Sequence, residues 1–166
     1  ILADKMKSRF IDVDGRIEKK RGKSITGIFR SEGEGGFRKL ELQVIEDLYH
    51  SSARNIVVAL GGGALQSPAI RRLVLDDGLT VYLSCSAREI YRRLRVDVDR
   101  PMLDVAPRPY ETRAQLRKRR IRELLEKRKT VYNQAHVTIS TTNKTPAQAA
   151  GELYRTIRKY DAASQG

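Results

Sequence analysis

Residues 55–63 read N-I-V-V-A-L-G-G-G, a continuous apolar run of β-branched character that stops at three consecutive glycines. An uninterrupted run of this kind suits a strand covered on both faces, the situation of strands in parallel sheets flanked by crossover helices. The glycines at its carboxyl end permit close approach to the backbone, and their successive N–H groups can face an anion or a hydroxyl. Open α/β sheets bind their ligands at that end of the strands. A merely flexible strand-to-helix joint is the alternative.

The rest of the chain repeats the alternation. Arg9 to Val13 reads as a short strand closed by the turn pair Asp14-Gly15, and Ile1 to Lys7 as the tail of a helix. Short helices are expected around 16–21 and 25–30. A longer helix follows from Glu34, its stripe being Phe37, Leu40, Val44, Ile45 and Leu48. A helix over 69–75, a second buried strand over 79–84 and a helix over 87–94 come next. Residues 95–113 carry Pro101, Pro107 and Pro109 with little periodicity and are expected to form a mobile lid. A basic helix from Arg113 to about Tyr132 places Leu116, Ile121, Leu124 and Leu125 on one face. Val137 to Ser140 is a last strand, and Pro146 suits the first turn of a closing helix. Strands alternating with helices throughout predict an α/β fold with a parallel sheet.

At 166 residues and 18.8 kDa the chain suits one domain, expected over residues 1–160 with a tail at 161–166. No apolar run reaches the roughly 20 residues that cross a bilayer, so no membrane partner is expected. The single cysteine, Cys85, excludes an internal disulfide framework, and His50 and His136 leave little room for a histidine metal centre. The formal charge of +13 admits nucleic acid, anionic lipid or small anionic substrates. Aromatic residues are only 6% with no Trp, which poorly supplies a stacking platform, so no nucleic-acid partner is expected.

Four constellations bear on chemistry. Asp12 and Asp14, alternating along the first strand, would share one face about 6.8 Å apart. They could hold a hydrated Mg²⁺ and accept a proton, although a solvated Asp-Gly turn is the commoner outcome. Arg38 lies three residues before Glu41, so an ion pair can aim its guanidinium. Arg128 continues the apolar face of its helix, where an arginine usually meets a carboxylate or an anionic ligand. Gly22-Lys23-Ser24 imitates the end of a phosphate-binding loop, G-x-x-x-x-G-K-[ST]. The preceding glycine, Gly15, is two residues too far and the stretch between reads as helix, so that reading is rejected. No G-x-S-x-G elbow supports a hydrolase.

In their order these signals are specific. Ile11-Asp12-x-Asp14-x-x-Ile17-Glu18, Gly22-x-Ser24-Ile25-x-x-Ile28-Phe29 and Gly33-Glu34-x-x-Phe37-Arg38-x-x-Glu41 closely resemble shikimate kinase. So do Gly61-Gly62-Gly63-Ala64, Arg100-Pro101-Met102-Leu103 and Arg128-x-x-x-Tyr132. The similarity spans Ile1 to about Pro146. It implies a P-loop kinase fold, three layers around a parallel sheet of order 2-3-1-4-5, and transfer of the γ-phosphoryl of ATP to the 3-hydroxyl of shikimate with Mg²⁺. It further implies that Asp14 binds the substrate hydroxyls and acts as base, while Asp12 holds the metal through water. Arg38 and Arg128 would clamp the substrate carboxylate, and the amides of Gly61, Gly62 and Gly63 would complete the pocket. Arg100 in the lid would stabilise the transferring group, and Arg93 and Pro146 would pack on the two sides of adenine.

Met102 and Thr130 stand where the family usually has leucine and proline. Ile1-Leu2-Ala3 resembles the middle of the family's first helix, which implies that the first, central strand and the phosphate-binding loop are missing from these residues. A chain without them is expected to be poorly stable and inactive. Related readings are a gluconate kinase and a loop-less pseudokinase that binds shikimate or a protein. A monomer in the cytoplasm is expected, or in a plastid if the source is a plant.

Overall fold

The computed structural model describes residues 1–51, 55–94, 103 and 106–163. The elements run α1 (Leu2–Lys5), β1 (Arg9–Asp12), α2 (Val13–Arg21), α3 (Ile25–His50) and β2 (Ile56–Ala59). A 3-10 turn (Ala64–Gln66) and α4 (Pro68–Asp76) lead to β3 (Val81–Ser84) and α5 (Ala87–Leu94). Then come α6 (Arg113–Tyr132), β4 (Val137–Ser140) and α7 (Pro146–Ala163). The alternation is the expected α/β one. The closing helix continues into the segment expected as tail.

The strands form two separate parallel pairs, β1 with β2 and β3 with β4. Arg9 aligns with Ile56 and Asp12 with Ala59; Val81 aligns with Val137 and Ser84 with Ser140. Among the described residues no strand joins the two pairs. The expected burial of β2 and β3 on both faces is therefore corrected. All four residues of β2 are only half-buried, and Leu83 in β3 is 54% exposed. A ribbon two strands wide leaves its faces and one edge of each strand less covered than a full sheet would.

Each pair has its own core. Val13, Ile17, Ile28, Phe37, Leu40, Val44, Ile45, Ile70 and Val74 pack with Val58 and Leu60 of the β2 side. Val137, Ile139, Leu153 and Ile157 pack with Val81, Leu79, Leu2 and Met6. The short α1 touches β1, β2 and α7 and so bridges the halves.

Local signals explain most boundaries. Asp12 caps α2, its Oδ1 accepting from Asp14 N at 3.2 Å, and Gly22 ends that helix in the left-handed region with φ 64°. Ser24 caps α3, and a reciprocal Thr112–Gln115 box starts α6. The stretch 22–24 is thus a helix-to-helix joint. The two helical pieces expected at 25–30 and after 34 are both present within α3, separated by a kink at Gly33, whose non-helical φ of 69° and ψ of −179° suit glycine almost alone. Asp14 corrects the sequence reading: it lies in the first turn of α2, not on the strand face it was to share with Asp12. Pairing with β2 ends at Asp12, and from there the capped backbone enters the helix.

Most of the expected lid, residues 95–102 and 104–105, lies outside the described residues, and Arg100 with it. Among the described residues no helix is long and apolar enough to cross a membrane.

Candidate active site

The floor of the site is the triglycine after β2. The carbonyls of Gly61 and Gly63 accept from the amides of Ala64 and Gln66, both at 3.0 Å, and so start the 3-10 turn. The Gly62 carbonyl instead accepts from Tyr132 Oη of α6 at 2.5 Å. With the three carbonyls engaged, the N–H groups of Gly61, Gly62 and Gly63 donate to none of the described residues. They are donors available to a ligand.

What faces the glycines is shown by the space a side chain would need. A Cβ on Gly61 would lie 3.2 Å from Glu41 Oε1 and 3.3 Å from Asp14 Oδ1. On Gly62 it would lie 3.2 Å from Arg128 Nη1, and on Gly63 only 2.0 Å from Arg38 Nη2. Asp14 from α2, Arg38 and Glu41 from α3, and Arg128 from α6 therefore converge on one short loop. The helix stripe that buries Phe37, Leu40, Val44 and Ile45 turns Glu41 inward as well.

Glu41 is fully buried. Its Oε2 accepts from Arg38 Nη1 at 2.6 Å, while Arg38 Nη2 reaches the more exposed Glu34 at 3.3 Å. Burial pushes the Glu41 carboxyl above the usual carboxylate range against the pull of Arg38; the charge of Asp14 adds to the rise and Arg128 opposes it. Its other oxygen, Oε1, accepts no hydrogen bond among the described residues. A buried acceptor of this kind calls for a donor from water or ligand. Arg38 is held by two carboxylates, whereas no ion pair among the described residues occupies Arg128.

The other expected residues fall at two further places. Asp12 is exposed at the end of β1, next to Asp14. Arg93 of α5 is fastened to Glu89 at 2.9 Å and, through Nη2, donates to the carbonyl of Thr141 at 2.7 Å. It thus meets the segment leading into Pro146, the exposed first residue of α7. Glu89, 6% exposed, also pairs with Arg92, and the two guanidinium groups lower its pKa to about 2. Among the described residues no three acidic, histidine or cysteine side chains cluster as a metal cage. Sequence reasoning missed Tyr132 as a support of the glycine loop and Glu89 as the anchor of Arg93. The four-residue spacing from Arg128 to Tyr132, which puts both on one helix face, was the available signal for the first.

Comparison with known proteins matches the shikimate kinase family model over residues 1–158. A shikimate kinase of Persephonella marina is 37% identical over 158 residues, 95% of this chain and 88% of the relative. One from Chlorobium phaeobacteroides is 35% identical over 166 residues, the whole chain and 86% of the relative. Among solved structures, shikimate kinase from Acinetobacter baumannii in complex with shikimate superposes with a TM-score of 0.79 at 32% identity, covering 98% of this chain and 83% of that one. The enzyme from Bacteroides thetaiotaomicron gives a TM-score of 0.80 at 28% identity, covering 95% and 88%.

Proposed function

Because this chain belongs to the shikimate kinase family, we propose that it transfers the γ-phosphoryl group of ATP to the 3-hydroxyl of shikimate, a step of aromatic amino-acid biosynthesis. The observation that carries this reading is the convergence on Gly61–Gly63 of two guanidinium groups, Arg38 and Arg128, with the Asp14 carboxylate. A hydroxylated carboxylic acid needs those groups. Arg38 and Arg128 bind its carboxylate by charge-assisted hydrogen bonds, and the glycine amides and Asp14 take its hydroxyls. Glu41 holds Arg38 in place.

Asp14 orients the 3-hydroxyl and receives its proton as that oxygen bonds to phosphorus. Phosphoryl transfer depends mainly on positioning and on stabilising charge, so a pocket of fixed donors around one carboxylate suffices on the acceptor side. On the nucleotide side, Arg93 and Pro146 frame adenine, and the resemblance assigns charge stabilisation to Arg100.

Mg²⁺ fits this donor set as a hydrated ion. It usually keeps several waters and takes one or two carboxylates plus substrate phosphates, and Asp12 offers an exposed carboxylate beside Asp14. When bound, the ion neutralises phosphate charge. The proposal includes a monomer working in the cytoplasm, the first part of which sedimentation would test.

The 166 residues hold no G-x-x-x-x-G-K-[ST] match, so substrate binding is measured apart from turnover. Titration calorimetry should show saturable shikimate binding, weakened about tenfold or more by Arg128→Ala, since hydrogen bonds to charged groups contribute about 1.5–3 kcal/mol. Absence of binding, or equal binding of gluconate, would overturn the reading. ADP release with Mg-ATP and shikimate then tests the transfer itself, and binding without release would support a pseudokinase.

A further inference from the structure

We infer that Tyr132 is a positioning residue of the substrate pocket: its hydroxyl, on the Gly62 carbonyl, decides which way the Gly62–Gly63 peptide faces and so aims the Gly63 N–H at the ligand. The inference rests on the shikimate reading of the pocket for its ligand, and on the loop's hydrogen bonds for its mechanism. The carbonyl and N–H of a trans peptide point in opposite directions, so holding one directs the other. The Gly61 carbonyl is held by the local turn through Ala64 N, which fixes the N–H of Gly62. The Gly63 carbonyl is held in the same way by Gln66 N. Only the middle carbonyl depends on a residue distant in sequence, Tyr132, 70 positions away.

Glycine on both sides of that peptide removes the Cβ clashes that normally resist a rotation of its plane. The local chain therefore does not choose between the two orientations; the tyrosine does. Tyr132 is in turn oriented by Tyr82 of β3, the rings stacking with centroids 4.5 Å apart and planes at 26°. The chain Tyr82–Tyr132–Gly62 links one strand pair to the loop that ends the other. Arg128 lies one helical turn before Tyr132, its Nη1 3.2 Å from the place of a Gly62 Cβ, so the same anchor sets the height at which Arg128 meets the loop. The Tyr132–Gly62 bond itself lies at an exposed edge. Water replaces such a bond readily, and its loss costs the fold little while freeing the peptide to turn.

The test compares Tyr132→Phe, which keeps the ring and its stacking but removes the hydroxyl, with Tyr82→Leu, which removes the stacking. For Tyr132→Phe the dissociation constant for shikimate is expected to rise about fivefold, the equivalent of one net hydrogen bond, with the thermal midpoint essentially unchanged. Tyr82→Leu is expected to lower the midpoint and also to weaken shikimate. In ¹⁵N-glycine-labelled protein the free Tyr132→Phe variant should show a shifted or doubled Gly63 amide resonance. Unchanged affinity would overturn the inference. So would a loss of affinity that merely parallels a fall in midpoint, with the Gly63 resonance unmoved. If the unsubstituted chain binds no shikimate, the shikimate reading fails, and the Gly63 resonance alone then decides whether Tyr132 sets the peptide.

Discussion

Gly63 and Arg38 occupy mutually exclusive space: a Cβ on the glycine would lie 2.0 Å from Nη2 and 2.8 Å from Cζ of the arginine. The guanidinium lies where any other residue at 63 would put its first carbon. Gly63 is thus required by the approach of a charged group, whatever its backbone angles allow.

Gly63→Ala should consequently weaken binding and stability together. The clash is with the far end of a long side chain, so Arg38 swings off Glu41 and leaves that fully buried carboxyl without its partner. Shikimate affinity is expected to fall about tenfold or more, the value of a charge-assisted contact, and the thermal midpoint to fall as well, because a buried carboxyl has lost its partner. Calorimetric titration alongside a melt checks both, and full affinity in the variant would contradict the placement of Arg38.

Glu41 gives a pH dependence of unusual sign. Its folded carboxyl is held above the ordinary value of 4.5 by burial, so between 4.5 and that raised value the folded state binds more protons than the unfolded one. Its contribution to stability therefore declines as pH rises through this window. Glu41→Gln removes the titration, so the stability of the variant relative to the parent should improve as pH is raised from 4.5 toward 8. Urea unfolding at both pH values measures this, and a difference that stays constant or shrinks would refute it.

The acid limb has the opposite origin. Arg92 and Arg93 lower Glu89 to about 2, and Arg119 with the Arg108 amide lowers Glu111 to about 2. Stability from these carboxylates is complete above their ordinary value of 4.5 and is lost as pH falls from 4.5 through 2. The double variant Glu89→Gln/Glu111→Gln should show a flatter fall of thermal midpoint across that interval. An equally steep fall would assign the acid sensitivity to other groups.

Gly33→Ala isolates backbone strain. Nothing lies within 4 Å of the Cβ it would add, yet φ is 69° and ψ −179°. The expected destabilisation is about 1–3 kcal/mol with no packing component. Because the bend sets the direction of the helix bearing Arg38 and Glu41, shikimate affinity should drop as well. Chemical denaturation beside the titration tests both, and a neutral substitution would mean that the bend can relax.

The sequence was most legible where one short segment carries a complete signal. Arg113–Tyr132, Ala87–Leu94 and Val137–Ser140 lie at the residues expected of them, since an apolar stripe or a β-branched run acts over a few neighbours. The family motifs were legible for the same reason. Asp14 was misplaced because an aspartate two residues beyond another reads alike on a strand and after a cap; the end of β1–β2 pairing at Asp12 made the choice.

The amino-acid sequence by itself determined the alternation of strands and helices, the basic charge, the family and the residue types of the pocket. Only the tertiary structure decided that the strands lie in two parallel pairs, that Arg38 fills the space over Gly63, that Glu41 is fully buried beside Asp14, and that Tyr132 holds Gly62. Those relations join segments tens of residues apart. Their geometry depends on how whole helices pack over strand ends, where one added carbon or one hydroxyl changes which groups can meet, and no local pattern records that.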